Sequence, residues 1–300
     1  MDASTTRAVS RLEARDQLTI SCTVRSSLEQ LWSSVTHAPH LQDWFTEHAT
    51  IDLHAGGFIQ FGGCYTPGNP VEVHGIIQEI IPLTRVRFTW PMHAHPTEVT
   101  FLLTSQADRS TLEVLHSGLA LPTARVGRMD LHHQMMCFWE NALANLQARI
   151  EIGQSGFRLD YLSIASSLVE RCIKIEASPG RVWQALTDPE ELNRWVATGA
   201  AVDLRPGGTY SYGWEENGHS GYPLKVESLD PPHRLVHTWD DDGFVERVTW
   251  TLIPLREGTA TRLLLQHEMH DPANGEGYRI GWPGFLNRLW WLLQTHTEQE

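Results

Sequence analysis

Residues 27–44, SLEQLWSSVTHAPHLQDW, and residues 178–195, SPGRVWQALTDPEELNRW, are two versions of one segment. The gapless alignment runs over residues 20–62 and 171–213 at an offset of 151, and it matches Ser27 with Ser178, Trp32 with Trp183, Leu41 with Leu192 and Trp44 with Trp195. It also matches DLHAGGFIQFG with DLRPGGTYSYG, carrying Asp52-Leu53 and Gly56-Gly57 onto Asp203-Leu204 and Gly207-Gly208. A period of this length is too long for a solenoid and suits a whole domain, so the chain reads as two tandem copies of one fold. Where the copies agree, the scaffold needs the residue; where they differ, each domain has room for its own chemistry.

With 300 residues, 41% of them hydrophobic, each half is long enough to bury its own core. The formal net charge of −13, from 36 acidic against 23 basic side chains, repels phosphate backbones and anionic lipid, so neither nucleic acid nor a membrane is an expected partner. The N-terminal stretch has no apolar signal core, and no run approaches the roughly eighteen apolar residues of a membrane span, so a cytoplasmic protein is expected. Cys22, Cys64, Cys137 and Cys172 stand far apart with no C-x-x-C pair and read as free thiols. No metal or cofactor is expected: His93-Ala94-His95 has no third ligand nearby, and the Gly-Gly pairs precede strands and lack a phosphate-binding pattern.

The second copy shows its local structure most plainly. CIKIEAS alternates as a strand, Ser178-Pro179 caps and starts a short helix, and Asp188-Pro189 restarts a second one. A meander follows through AVDLRPGGTYSYGW, LKVESLDPPHRLVHTW, ERVTWTLIPL and TRLLLQH, and the copy closes on a long helix with Tyr278, Trp282, Phe285, Leu289 and Leu292 in a stripe. The matching stripe of the first copy is Met129, His132, Met136, Trp139, Leu143, Leu146 and Ile150, in which His132 stands where Tyr278 does.

These segments, with "GWPGFLNRL" and, in the first copy, "DLHAGGFIQFG" and "IIPLTRVRFTW", resemble the Aha1-like branch of the START/Bet v 1-type SRPBCC superfamily. The resemblance covers nearly the whole chain. It implies an α+β fold of two tandem helix-grip domains, over residues 17–152 and 163–300, each a curved antiparallel sheet around a long C-terminal helix with two short helices. GQSGFRLDYL joins them. The resemblance also implies a hydrophobic ligand in a cavity between sheet and helix, but no catalytic signature is shared across that superfamily, so no active site carries over.

Period-two alternation selects the inward face of each strand. In VRFTW the charged Arg85 and Arg87 must face out, so Val86, Phe88 and Trp90 face in, with Leu235, His237 and Trp239 as counterparts. Phe101 and Trp250 face in on the next strand, His116 and His267 on the last, and Tyr210 and Tyr212 after the second Gly-Gly turn. Burying an imidazole or phenol unpaired costs roughly 1–3 kcal/mol, so these groups pair with one another, hold water or meet a ligand. The candidate acid/base groups are therefore His237, His267 and Tyr212 in the second domain and His116 and His132 in the first. Trp90, Phe88, Phe101, Met136 and Trp139, and Tyr210, Trp239, Trp250, Tyr278, Trp282 and Phe285, are the candidate cavity lining. A structural histidine bonded to a neighbouring backbone is the more ordinary reading of a matched pair such as His116 and His267.

The leading expectation is a protein that binds an aromatic or polycyclic small molecule, as a cofactor-independent cyclase or dehydratase of secondary metabolism. The alternatives are a non-catalytic carrier, sensor or sequestering protein, and a co-chaperone of Hsp90 type. The copies need not be equivalent: one is placed to hold ligand, the other to serve packing or homodimer contacts.

Overall fold

A computed structural model describes residues 16–67, 73–93, 95–120, 130–161, 166–196, 198–213, 224–241 and 244–294. Met129, placed on the first helix stripe, lies outside the described residues. The chain forms two compact units, Met1–Ile164 and Ala165–Glu300.

In the first unit β1 (Gln17–Val24) leads into α1 (Leu28–Thr36) and α2 (Ala38–Trp44). Then come β2 (His48–Ile51), β3 (Phe58–Gly62), β4 (Val73–Ile81), β5 (Arg85–Thr89), β6 (Glu98–Gln106), β7 (Arg109–Ser117) and the long α3 (Leu131–Ile152). The antiparallel sheet has the order β1-β7-β6-β5-β4-β3-β2, so the first strand closes against the last before the helix. The second unit repeats this with β8 (Leu168–Ile175), α4 (Pro179–Thr187), α5 (Pro189–Trp195), β9 (Ala201–Val202), β10 (Tyr210–Ser211), β11 (Val226–Asp230), β12 (Arg234–Asp241), β13 (Phe244–Leu255), β14 (Ala260–Glu268) and α6 (Pro272–Gln294). Its order is β11-β12-β13-β14-β8, and the pair β10-β9 is tied to the start of β11 by a bridge between Thr209 and Lys225.

The residues shared by the copies do the same work twice. Ser27 accepts from the Gln30 amide in a capping box, and Ser178 accepts from the Arg181 amide. Trp44 donates its indole N–H to the Ser34 carbonyl at 3.0 Å, and Trp195 donates to the Ala185 carbonyl at 2.8 Å, which locks each pair of short helices together. The Gly-Gly turns have one explanation each. Gly56 and Gly207 adopt φ of +85° and +79°, while a Cβ on Gly57 or Gly208 would stand 2.0 or 2.1 Å from the carbonyl oxygen of Asp52 or Asp203.

The long helices differ in how they are covered. In α3 both Met135 and Phe138 are buried beside Trp139, Leu143 and Leu146, whereas Met136 is only half-buried. The stripe is wider than a single amphipathic face because residues 154–161, which read as a joining segment, pack against the same unit. Leu159 is buried, Arg158 Nη1 donates to the carbonyls of Gln42 and Thr46, and Tyr161 N–H donates to the Cys64 carbonyl. In α6, Pro283 has no N–H to offer one turn back, and the freed Arg279 carbonyl accepts from Arg171 on β8 at 3.2 Å.

Candidate functional site

Both units place their sheet histidine against the long helix in one way. Trp139 Nε1 donates to Nδ1 of His116 at 3.1 Å, and Trp282 Nε1 donates to Nδ1 of His267 at 3.1 Å. An indole N–H can only donate, so Nδ1 carries the lone pair and Nε2 the proton. The two tryptophans are thus equivalent, and four residues before them stand Met135 and Tyr278. The sequence alignment of His132 with Tyr278 is corrected by three positions; a slip of nearly one turn keeps the same helix face, so the stripe alone does not reveal it.

What Nε2–H meets separates the units. In the first, it donates to Thr97 Oγ1 at 2.8 Å, and the Thr97 hydroxyl donates to the Trp90 carbonyl. In the second, Glu246 holds the equivalent place: its Oε2 accepts from His267 Nε2 at 3.1 Å and its Oε1 from the His270 amide at 3.1 Å. Both side chains of this hydrogen-bonded pair have 0% exposure. Such a carboxyl is expensive to desolvate, and it appears in one copy only. Glu246 escaped the sequence reading, although the signal was present: it lies two and four residues before Val248 and Trp250, on the face that alternation turns inward.

Around this pair the second unit gathers most of its sequence-predicted residues. His237 Nδ1 donates to the Thr238 carbonyl at 2.9 Å, and its Nε2 faces Tyr212 Oη at 3.1 Å and accepts from Trp250 Nε1 at 3.2 Å. Tyr210 stacks on His237 with centroids 4.3 Å apart and donates to the Leu186 carbonyl at 2.7 Å. Burial pushes the His237 imidazole down to about 3 and holds both phenols above their ordinary range. Over His267 sit Tyr278, at 4.3 Å between centroids, and Trp239, at 5.3 Å; Trp239 Nε1 donates to Tyr278 Oη at 2.9 Å. Trp239 and Tyr278 are half-buried, whereas His237, His267, Tyr210 and Trp250 are fully buried. Phe285 packs beside Trp282 at 5.9 Å, with the Arg288 guanidinium over its ring at 4.6 Å.

The first unit fills the corresponding space with hydrocarbon. Phe45 stacks on Trp139 at 5.4 Å and meets Phe61, Trp90 and Phe138 within 5.6 Å; Phe88 meets Phe101 at 5.4 Å. His116 is pushed down to about 3 by burial, reinforced by His132. A crevice behind α3, lined by Trp44, Tyr65, Phe138, Asn141 and Arg158, has about 10 Å³ of accessible space, enough for one water.

Two domain-length matches decide the family. The family described as Activator of Hsp90 ATPase homolog 1-like protein matches residues 25–151 and again residues 176–294. The chain belongs to this family. It is therefore a tandem Aha1-like protein of helix-grip fold, and both matches end within the long helices α3 and α6. Among solved structures, it is similar to DynU16, a protein in the dynemicin biosynthetic locus, with 18% identity over 93% of this chain and 99% of that one at a TM-score of 0.41. Similarity to CalU16 from Micromonospora echinospora is 21% identity over 47% of this chain and 80% of the other, TM-score 0.36. The Aha1 dimer from Colwellia psychrerythraea matches at 18% identity over 46% and 98%, TM-score 0.40. No curated protein matches the chain. No helix among the described residues is long and apolar enough to cross a membrane.

Proposed function

We propose that this tandem Aha1-like protein binds a hydrophobic, aromatic small molecule against the Trp239–Tyr278 pair of the second unit, between sheet and α6. The observation that carries the proposal is a gradient of exposure. Two hydrogen-bonded rings, half-buried, cover an imidazole–carboxyl pair with 0% exposure, so a flat ligand can stack on aromatic faces above a fixed polar group.

Glu246 favours a second, catalytic reading of the same site. A carboxyl that accepts Nε2–H fixes the tautomer and supports an imidazolium, which leaves Nδ1 as the basic nitrogen. Trp282 now caps that nitrogen, so His267 becomes a base for a bound cyclase or dehydratase substrate when the indole swings aside. His116, with Thr97 in place of a carboxyl, serves as the structural counterpart.

The test is native mass spectrometry of the protein from its own host, with extraction of whatever is bound, followed by titration of the recovered molecule. One aromatic molecule per chain, bound at least about tenfold more weakly by Trp239→Ala, is the expected result. A protein that comes out empty and ignores a panel of polycyclic aromatics sinks the proposal. For the catalytic reading, Glu246→Gln must abolish turnover while binding persists.

A further inference from the structure

The crevice behind α3 is walled by the end of α2, one side of α3, the turn after β3 and residues 158–159, with no strand residue in its lining. It has room for one oxygen-sized atom. The second unit shows where the space comes from. With Trp139 and Trp282 equivalent, Ala142 stands where Phe285 does, so the first copy lacks a ring there. It also lacks the cation of that unit: Arg288, which lies over the Phe285 ring at 4.6 Å and donates to the Trp195 carbonyl at the end of α5, is replaced by Asn145. Arg158 restores the charge from the joining stretch. Its Nη1 donates to the carbonyls of Gln42 and Thr46, and its guanidinium lies over the Tyr65 ring at 4.3 Å.

Asn141 lines the crevice, is 4% exposed and carries an unpaired donor, Nδ2. The orientation of its amide is fixed by Asn145. Asn145 Nδ2 donates to the carbonyls of Phe157 and Asn141 at 2.8 and 3.1 Å, so the Asn141 side-chain atom 3.3 Å away must be the acceptor, Oδ1. Nδ2 is left with its protons ungiven, which destabilises a fold unless something accepts them.

The crevice therefore offers an amide N–H and a guanidinium charge, and no carboxylate lines it. Glu47, a carboxylate that feels the Arg158 charge, is exposed and accepts from the Cys64 amide. A water fits the space, but it brings two protons of its own that these donors cannot accept. A monatomic anion accepts from both and brings none. We infer that the crevice binds one halide ion, chloride, held by Asn141 Nδ2–H and the charge of Arg158. The ion ties the joining stretch to α3, as Phe285 and Arg288 tie α6 to the end of α5 in the second unit.

The experiment follows thermal unfolding of the full chain in sodium fluoride, chloride and bromide at one ionic strength, and soaks halide-free crystals in bromide for anomalous diffraction. General salt exclusion makes the strongly hydrated fluoride the most stabilising of the three. A site reverses that order: chloride and bromide should raise the Tm above fluoride along a saturating curve, and a bromide peak should lie against Asn141 Nδ2. Asn141→Asp keeps the acceptor for Asn145 and replaces the donor with a carboxylate oxygen, so it should weaken chloride binding at least about tenfold. A water alone in the crevice, a fluoride-first order, or an unchanged halide response in Asn141→Asp overturns the inference. So does a bromide peak with no response in solution, which is binding at crystal concentration only. Should Asn141→Asp fail to fold, the order of the three salts and the bromide position on the unmodified chain still decide. The site belongs to the first unit and the Trp239–Tyr278 pair to the second, so the two proposals fail separately.

Discussion

Trp282 on α6 donates its indole N–H to Nδ1 of His267 on β14 across 3.1 Å, and Trp139 makes the same bond to His116. Each bond ties a long helix to the last strand of its own sheet. Each also sets the protonation of the histidine it reaches.

Replacing either tryptophan with phenylalanine keeps an aromatic ring but orphans a buried nitrogen. Trp139→Phe and Trp282→Phe are each expected to cost about 1–3 kcal/mol in urea unfolding. In long-range 1H–15N spectra of the unsubstituted protein, both histidines should carry their proton on Nε2. A proton found on Nδ1 of either ring would refute the assignment.

Stability should fall on acidification through two rings. His116 and His237 are each lowered from 6.5 to about 3 by burial. Between these values the unfolded chain binds protons that the folded chain refuses, so stability is at its plateau above about pH 6.5 and drops as pH falls toward 3. Each group contributes on the order of 5 kcal/mol at the acid end. His237→Phe, which installs the residue found at Phe88 of the first unit, should flatten this dependence while costing about 1–3 kcal/mol at neutral pH, because Trp250 loses its acceptor. Urea midpoints at pH 4 and pH 7 check this, and an unchanged slope would count against it.

The stretch from 154 to 161 should behave as part of the first unit. Leu159→Ala removes a side chain with 3% exposure and is expected to cost about 2–5 kcal/mol. A change below about 0.5 kcal/mol, the size of an ordinary surface substitution, would make the stretch a spacer after all.

Several features of the site were legible in the chain. Alternation turned Phe88, Phe101, Trp250, His116, His237 and His267 inward, and all are buried at 0%. Glu246 was equally legible by the same rule, yet a glutamate on an apolar face is discounted until a partner is seen for it. Phe138 was hidden for another reason: residues 154–161 bury a second side of α3, where Tyr161 meets its ring at 6.2 Å, and period alone assumes one buried side.

The sequence by itself determined that one fold occurs twice, where its short helices begin, which glycines turn the chain and which strand faces look inward. Those follow from local rules, capping, φ and pleat, that act between residues close in the chain or repeat visibly along it. Only the tertiary structure decided that Thr97 and Glu246 receive the Nε2–H of their histidines, that Trp139 and Trp282 set those histidines, and that Trp239 finds the phenol of Tyr278. Each depends on groups far apart in the chain meeting at hydrogen-bond or ring-stacking distance, and such a meeting is fixed by the packing of helix on sheet.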